Sequence, residues 1–258
     1  MAILFDEVVF GPVKSRRFGV SLGVNLLPVD YKYCSFNCLY CECGWNEKKS
    51  AGKAVLPSVD DVQNALVQKL SALASSGIRP DHITFAGNGE PTLHPDFARI
   101  IDVTIQVRNR LTPDAKVTVL SNATQLHKKA VFGALNNVDD NVLKLDSAVE
   151  ATFRLINQPA PGITLSKILD MIRRFEGNQV IQTLFLRGHW NGKPVDNTTS
   201  GEVEAWLEAL LSINPKYVMI YSIDREAPVR TLVKVPVEEL EAIARKVEAA
   251  GIEARVFG

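Results

Sequence analysis

Apolar residues recur along this chain at two alternating periods, two and about three and a half, and the alternation predicts its architecture. The run FGVSLGVNLL (18–27) reads as a strand. After a long loop, Val59, Val62, Leu66, Leu70 and Leu73 recur at helical spacing between a capping Ser58 and Gly77. HITFAG (82–87) is a second strand, followed by the polar turn NGEPTLH and a helix opened by Pro95, with Phe97, Ile100, Ile101, Thr104 and Arg108 along its faces. KVTVLS (116–121) then precedes a helix near 124–135, and VLKLD (142–146) precedes helices near 149–157 and 164–176. QVIQTLFL (179–186) precedes one at 201–213, and KYVMIYS (216–222) one at 236–250. Six strand–helix units predict an α/β chain with a parallel sheet covered by helices through right-handed crossovers. No linker divides them, so the reading is a single domain over residues 1–258.

Six units fit either a doubly wound open sheet or a barrel short of two strands. Polar residues gather after strand ends in unit after unit: Asn88-Gly89-Glu90, Ser121-Asn122, Asp146, Arg187-Gly188 and Ser222 with Asp224. A barrel brings all those ends to one mouth, which favours a partial six-unit TIM-like barrel. On the fourth strand a period of two puts Val142, Lys144 and Asp146 on one face and Leu143 and Leu145 on the other, so Lys144 and Asp146 are expected to point inward. Gln182 is a similar interruption on the fifth strand. Each of these residues has a structural alternative, pairing with its neighbours inside the barrel.

Charge narrows the function classes. Lysine plus arginine equals aspartate plus glutamate at 29 each, which argues against a whole-surface nucleic-acid binder, and no DNA partner is expected. No run of eighteen or more apolar residues appears, and the start MAILFDEVVFGPVKSRR lacks a basic n-region with an apolar core; the expectation is a cytoplasmic protein without a membrane partner. Lys14-Ser15-Arg16-Arg17 reads either as a phosphate site or as a solvated approach to the first strand.

All four cysteines of the chain lie in CSFNCLYCEC (34–43). In a reducing compartment, thiols this close together bind metal or react rather than staple distant segments. Spacings of three and two residues between Cys34, Cys38 and Cys41 let one loop wrap a four-iron cluster, three thiolates on three irons and the fourth iron open. Zinc would need Cys43 as a fourth ligand, and the single residue between Cys41 and Cys43 is unusual for tetrahedral closure.

The pattern Cys34-x3-Cys38-x-Tyr40-Cys41 resembles the signature of the radical S-adenosylmethionine (SAM) enzymes, FAGNGEPTLHP resembles their glycine-rich SAM-binding turn, and VLSNAT stands where their ribose contact lies. GPVKSRRFGVSLGVN, KLD and YSIDR further resemble the subgroup containing the wyosine tRNA-modifying enzymes. The resemblance implies a partial barrel with a [4Fe-4S] cluster on Cys34, Cys38 and Cys41, and SAM, at the C-terminal ends of the strands. It implies reductive cleavage of SAM to a 5'-deoxyadenosyl radical, with an electron donor such as flavodoxin or ferredoxin. Tyr40, Gly87, Asn88, Gly89, Glu90, Ser121 and Asn122 are the expected SAM contacts, with Asp146 and Gln182 beside them. Asn122 has an alternative role in capping the next helix.

The substrate is a small molecule or an RNA; the chain has neither the extra cysteines of a second cluster nor a basic tail, so a tRNA base stands as the alternative. A non-catalytic iron–sulfur carrier or redox sensor is a further alternative, which the GNGEP turn disfavours. Lys144, Asp146 and Arg187 are the expected substrate-side catalytic residues, and RGHWNGKPVDNTT is expected to be a lid loop. An unpaired buried lysine is costly, so Lys144 is expected to face Asp146 or another acid.

Overall fold

A computed structural model describes residues 3–46 and 54–258. Its centre is a run of parallel strands: β2 (Gly19–Val24), β3 (His82–Phe85), β4 (Lys116–Ser121), β5 (Asp140–Lys144), β6 (Val180–Trp190), β8 (Val218–Ser222) and β10 (Ala254–Phe257). β1 (Val9–Ser15) pairs antiparallel with β2, which gives the order β1-β2-β3-β4-β5-β6-β8-β10. The ends, β1 and β10, do not pair with each other, so the barrel is partial.

The helices cover the outer face: α1 (Val59–Ser75), α2 (Phe97–Leu111), α3 (Lys129–Asn136), α4 (Glu150–Asn157), α5 (Leu165–Arg173), α6 (Ser200–Ile213) and α7 (Val237–Ala249). α1 begins where Ser58 accepts a hydrogen bond from the Asp61 amide and Asp61 accepts one from the Ser58 amide, and its five apolar residues named above are all buried. α3 starts later than the apolar spacing predicts because Asn122 and Ala123, the latter at φ +65, hold residues after β4 in a tight turn.

Alternation on the strands separates two cores. Leu143, Ile181, Val218 and Ile220 pack outward under the helices, while Val142, Val180 and Met219 join Phe18 in a plug at the bottom of the barrel. Each such side chain contributes roughly 1.5–3 kcal/mol on burial. Above the plug the inner face turns polar at Lys144 and Gln182, which are direct cross-strand partners on β5 and β6.

The segment expected to be a lid loop is instead ordered sheet. β6 runs on to Trp190, turns through Asn191 and Gly192, both at positive φ, and returns as β7 (Lys193–Asp196). That is the geometry an Asn-Gly hairpin turn favours. β9 (Leu232–Lys234) pairs with β6 as well, and approaches Gly188 so closely that a Cβ there would lie 2.3 Å from the Thr231 carbonyl oxygen.

Candidate active site

The C-terminal ends of the central strands open into a cavity of about 320 Å³. The cysteine loop after β2 forms one wall, with Cys34, Cys38, Cys41 and Cys43 all lining it. Beside them stand Gly87, Gly89 and Glu90 after β3, and Ser121 and Asn122 at the end of β4. Lys144, Gln182 and Tyr221 complete the wall on β5, β6 and β8.

The loop is held by hydrogen bonds to its own backbone and sulfurs. Asn46 donates to the carbonyl oxygens of Cys34 and Phe36 and accepts from the Cys34 amide. The Phe36 amide lies 3.4 Å from Cys34 Sγ, and Asn157 Nδ2 lies 3.4 Å from Cys38 Sγ. Lys32, 3% exposed, donates to the Gly44 carbonyl at 3.0 Å. Burial alone would pull the Lys32 ammonium down, but negative charge on Cys41, Cys34 and Cys38 outweighs it and raises its pKa. Burial pushes the Cys34 thiol up to about 12 and the Cys38 thiol up as well. Cys41 is held below the ordinary thiol value, first by a hydrogen bond from Cys43 and then, against the opposing effect of burial, by Lys32. The one proton of Cys43 has two acceptors, the Cys41 sulfur and the Gly87 carbonyl oxygen at 3.3 Å.

Three thiols of one loop on one cavity wall are a donor set that an iron–sulfur cluster could use. Among the described residues no three acids, histidines or cysteines converge as ligands of one ion do. A four-iron cluster takes each thiolate on its own iron, and amide N–H groups near the sulfurs are among the devices that tune it.

The glycine turn docks against the segment before the cysteines. Gly89 has φ +144, and a Cβ there would sit 1.9 Å from the Tyr33 carbonyl oxygen. Gly87 has φ +150, and its Cβ would meet Asn25. Glu90, 2% exposed, accepts from the Thr92 amide and hydroxyl and from Ser121 Oγ (2.8 Å) on one oxygen, and from the Asn122 amide (2.7 Å) on the other. Burial raises its pKa, and those donors partly offset the rise. Oε2 accepts the Asn122 amide alone, which leaves it a second lone pair, and Glu90 lines the cavity.

Other expected contacts are committed elsewhere. Asn88 is fully buried beneath the turn; its side chain bonds the backbone of Phe5 and the Pro28 carbonyl, and it is not among the residues lining the cavity. Ser121 spends its hydroxyl proton on Glu90 and accepts from the Ala123 amide. Asn122 does two things: Oδ1 caps the turn through the Thr124 amide and hydroxyl, and Nδ2 donates to Ser35 Oγ beside Cys34.

Asp146, expected to face the cavity, is buried behind its lining. One oxygen accepts from Tyr40 and from Asn157 (2.6 Å), and the other from the Leu184 amide (3.1 Å). It therefore ties β5 to the cysteine loop, α4 and β6. Lys144 does face the cavity, with Nζ 3.7 Å from Asp146 and 2.6 Å from the Tyr40 hydroxyl. Burial would lower the Lys144 pKa, and the Asp146 charge reverses that and raises it. Gln182 lines the cavity and accepts from Arg17 at 2.9 Å. Arg187 lies outside: it is a rung of the β6–β7 ladder, and its guanidinium pairs with Glu239 and donates to Thr198. The extension of β6 carries it past the mouth.

Sequence reasoning missed Lys32, Asn157 and Tyr221 as site residues, and raised Arg17 only within Lys14–Arg17, as a phosphate site or a solvated approach; Arg17 lines the cavity. Lys32, two residues before Cys34, was the one with a local signal, a cation beside a thiolate loop.

Comparison with known proteins finds relatives of the chain and of its fold. The chain is 31% identical over 245 residues to a protein named GTPase Obg from Brachyspira hyodysenteriae, covering 93% of this chain and 33% of that one, so it spans a third of that relative's length. It is 33% identical over 227 residues to a UPF0026 protein of Synechocystis, covering 86% of this chain and 77% of that one. Its fold matches a radical SAM methyltransferase from Sphaerobacter thermophilus with a TM-score of 0.67 at 13% identity, over 92% of this chain and 65% of the other. It also matches archaeal TYW1 with a TM-score of 0.55 at 13% identity, over 89% and 71%. Residues 29–189, which run from the segment before the cysteines to the end of β6, match the Radical SAM superfamily, and the chain belongs to that superfamily.

Proposed function

We propose that this chain is a radical SAM enzyme that holds a [4Fe-4S] cluster on Cys34, Cys38 and Cys41 and cleaves SAM reductively to act on a substrate in the same cavity. What supports the reading most is one shared space: three thiols of one loop, the Gly87–Glu90 turn and the end of β4 all line it. Cys34, Cys38 and Cys41 would hold the cluster, which when bound would supply the one-electron reduction that reductive cleavage of SAM requires, the electron coming from a donor such as flavodoxin or ferredoxin.

The chain's own part is to hold, orient and shield. Lys32 balances thiolate charge beside the three cysteines. Glu90, rigid in its cage of four donors, offers the second lone pair of Oε2 to the SAM ammonium, and Gly87 and Gly89 let the backbone approach. The Asp146 hub fixes Tyr40 and, through Asn157, the Cys38 side of the loop. The substrate, a small molecule or an RNA, takes the side lined by Lys144, Gln182 and Tyr221.

Anaerobic reconstitution followed by metal analysis tests the ligand set. About four irons and four sulfides per chain are expected. Alanine at Cys34, Cys38 or Cys41 should abolish them, and Cys43→Ala should leave them in place. Loss of the cluster in Cys43→Ala would mean that a fourth thiolate closes the site.

A further inference from the structure

One cation in the cavity has no counterpart among the described residues. Arg16 pairs with Asp224 at 3.0 Å, Arg225 with Glu42 at 2.9 Å, and Lys144 with Asp146. Lys32 faces the thiols. Arg17 also lines the cavity, and among the described residues no carboxylate comes within ion-pair distance of it.

Its surroundings hold the guanidinium in place without neutralising it. Arg17 lies in the tight turn between β1 and β2, next to Phe18, which anchors the barrel plug. The guanidinium carbon sits 4.7 Å from the Tyr221 ring centroid and 5.4 Å from that of Phe18. One nitrogen donates to Gln182 Oε1 at 2.9 Å, and the Tyr221 hydroxyl lies 3.4 Å from the same oxygen. Stacking on aromatic faces and one neutral hydrogen bond orient a planar fork. A guanidinium has five N–H donors, and this bond uses one. A half-buried cation that is oriented but unpaired, with donors to spare, is the arrangement that receives an oxyanion bidentately.

We propose that Arg17 is the anion receptor of the substrate site, binding a carboxylate or phosphate of the substrate against Tyr221 and Gln182. This rests on the function proposed above and adds the substrate class: a molecule with an anionic group placed on the β6–β8 side, beside Lys144, which is the cross-strand neighbour of Gln182. The anion supplies the guanidinium's missing counter-charge, and the fixed ring stack holds the fork ready for an oxyanion that accepts two parallel hydrogen bonds.

Calorimetric titration of the reconstituted enzyme with inorganic phosphate and with malonate tests the proposal. Wild type should bind at least one of the two, and the tighter probe identifies phosphate or carboxylate. Arg17→Met should weaken that binding by about tenfold or more, the scale of a lost charge-assisted pair. Arg17→Lys keeps the charge without the fork and covers the case in which the methionine variant folds poorly; it should weaken binding by a smaller factor. Arg255→Gln, an exposed arginine on β10 paired with Glu253, should bind like wild type. The proposal is overturned if wild type binds neither probe, if the Arg17 variants bind as wild type does, or if saturating SAM displaces the probe, since the guanidinium would then serve the SAM carboxylate. Iron content and SAM cleavage of the wild-type preparation separate the two readings. Arg17-dependent binding in protein that neither holds iron nor cleaves SAM overturns the enzyme reading alone, and iron and cleavage without anion binding overturn the anion site alone.

Discussion

The Lys144 ammonium lies 2.6 Å from the Tyr40 hydroxyl, and that contact joins the barrel wall to the cysteine loop. Tyr40 in turn donates to Asp146, whose side chain is fully buried, so the three residues form one charge-assisted network. Removing the cation leaves Asp146 with neutral donors only. Lys144→Met should therefore lower folding stability by about 3 kcal/mol. A double-mutant cycle with Tyr40→Phe in urea denaturation should show a coupling of about 1 kcal/mol. A coupling near zero would mean the contact contributes nothing to stability.

Glu90 gives a prediction that separates folding from binding. Its carboxylate satisfies four donors from Thr92, Ser121 and Asn122 in a buried setting. Glu90→Ala leaves them without an acceptor and should cost roughly 2–4 kcal/mol. Loss of SAM affinity in that variant would be confounded with unfolding, so binding is better read in Glu90→Gln. Equilibrium denaturation of both variants checks this, and an alanine variant as stable as wild type would contradict it.

At Gly89 the limit is steric. Alanine there places a Cβ on the Tyr33 carbonyl oxygen at a backbone angle that L-residues rarely adopt. Gly89→Ala should lose about 3 kcal/mol or more and fail to retain iron. Gly77→Ala, also at positive φ but with open space around it, should cost only about 1–2 kcal/mol and keep the cluster. Thermal melts with iron analysis distinguish the two.

Two histidines contribute a defined sign to the pH response. Burial holds His82 and His94 below their ordinary value of 6.5. His94 is locked neutral: Nε2 donates to the Pro57 carbonyl at 2.9 Å and Nδ1 accepts from the Asp96 amide at 3.1 Å. The unfolded chain binds these protons more readily than the folded one. Their contribution to stability is therefore complete above about pH 6.5 and is lost as pH falls below it toward the depressed folded value. Denaturation midpoints at neutral pH and at about pH 5 should differ less in His94→Gln than in wild type; an equal or larger difference in the variant would contradict this.

Much of this was legible in the sequence, and what was not has physical reasons. All six central strands and all seven helices follow from periodicity, because burial against one sheet face fixes the apolar spacing: Val59, Val62, Leu66, Leu70 and Leu73 are buried as the spacing predicts. β1 and β10 are edge strands with weaker alternation and were not foreseen. The β6–β7 hairpin had a signal in Asn191-Gly192, overlooked because a polar, glycine-bearing run also reads as a loop. Site residues were harder. Lys144 and Gln182 came from strand period, but strand period says nothing about which polar group is already satisfied. Asn88, Ser121 and Asp146 sit at the right strand ends and still spend their side chains holding the site together. Arg17 reaches its partners from the far end of the β1–β2 hairpin, a relationship that exists only once the sheet curls.

Chromatography of SAM incubated with the reconstituted protein and a strong reductant tests the proposed function most directly. The prediction is 5'-deoxyadenosine and methionine in equal amounts, formed by wild type and by Cys43→Ala and absent in the Cys34, Cys38 and Cys41 alanine variants. A wild-type protein that carries its full complement of iron and sulfide under strong reduction, yet neither binds nor cleaves SAM, would contradict it and leave an iron–sulfur carrier as the reading.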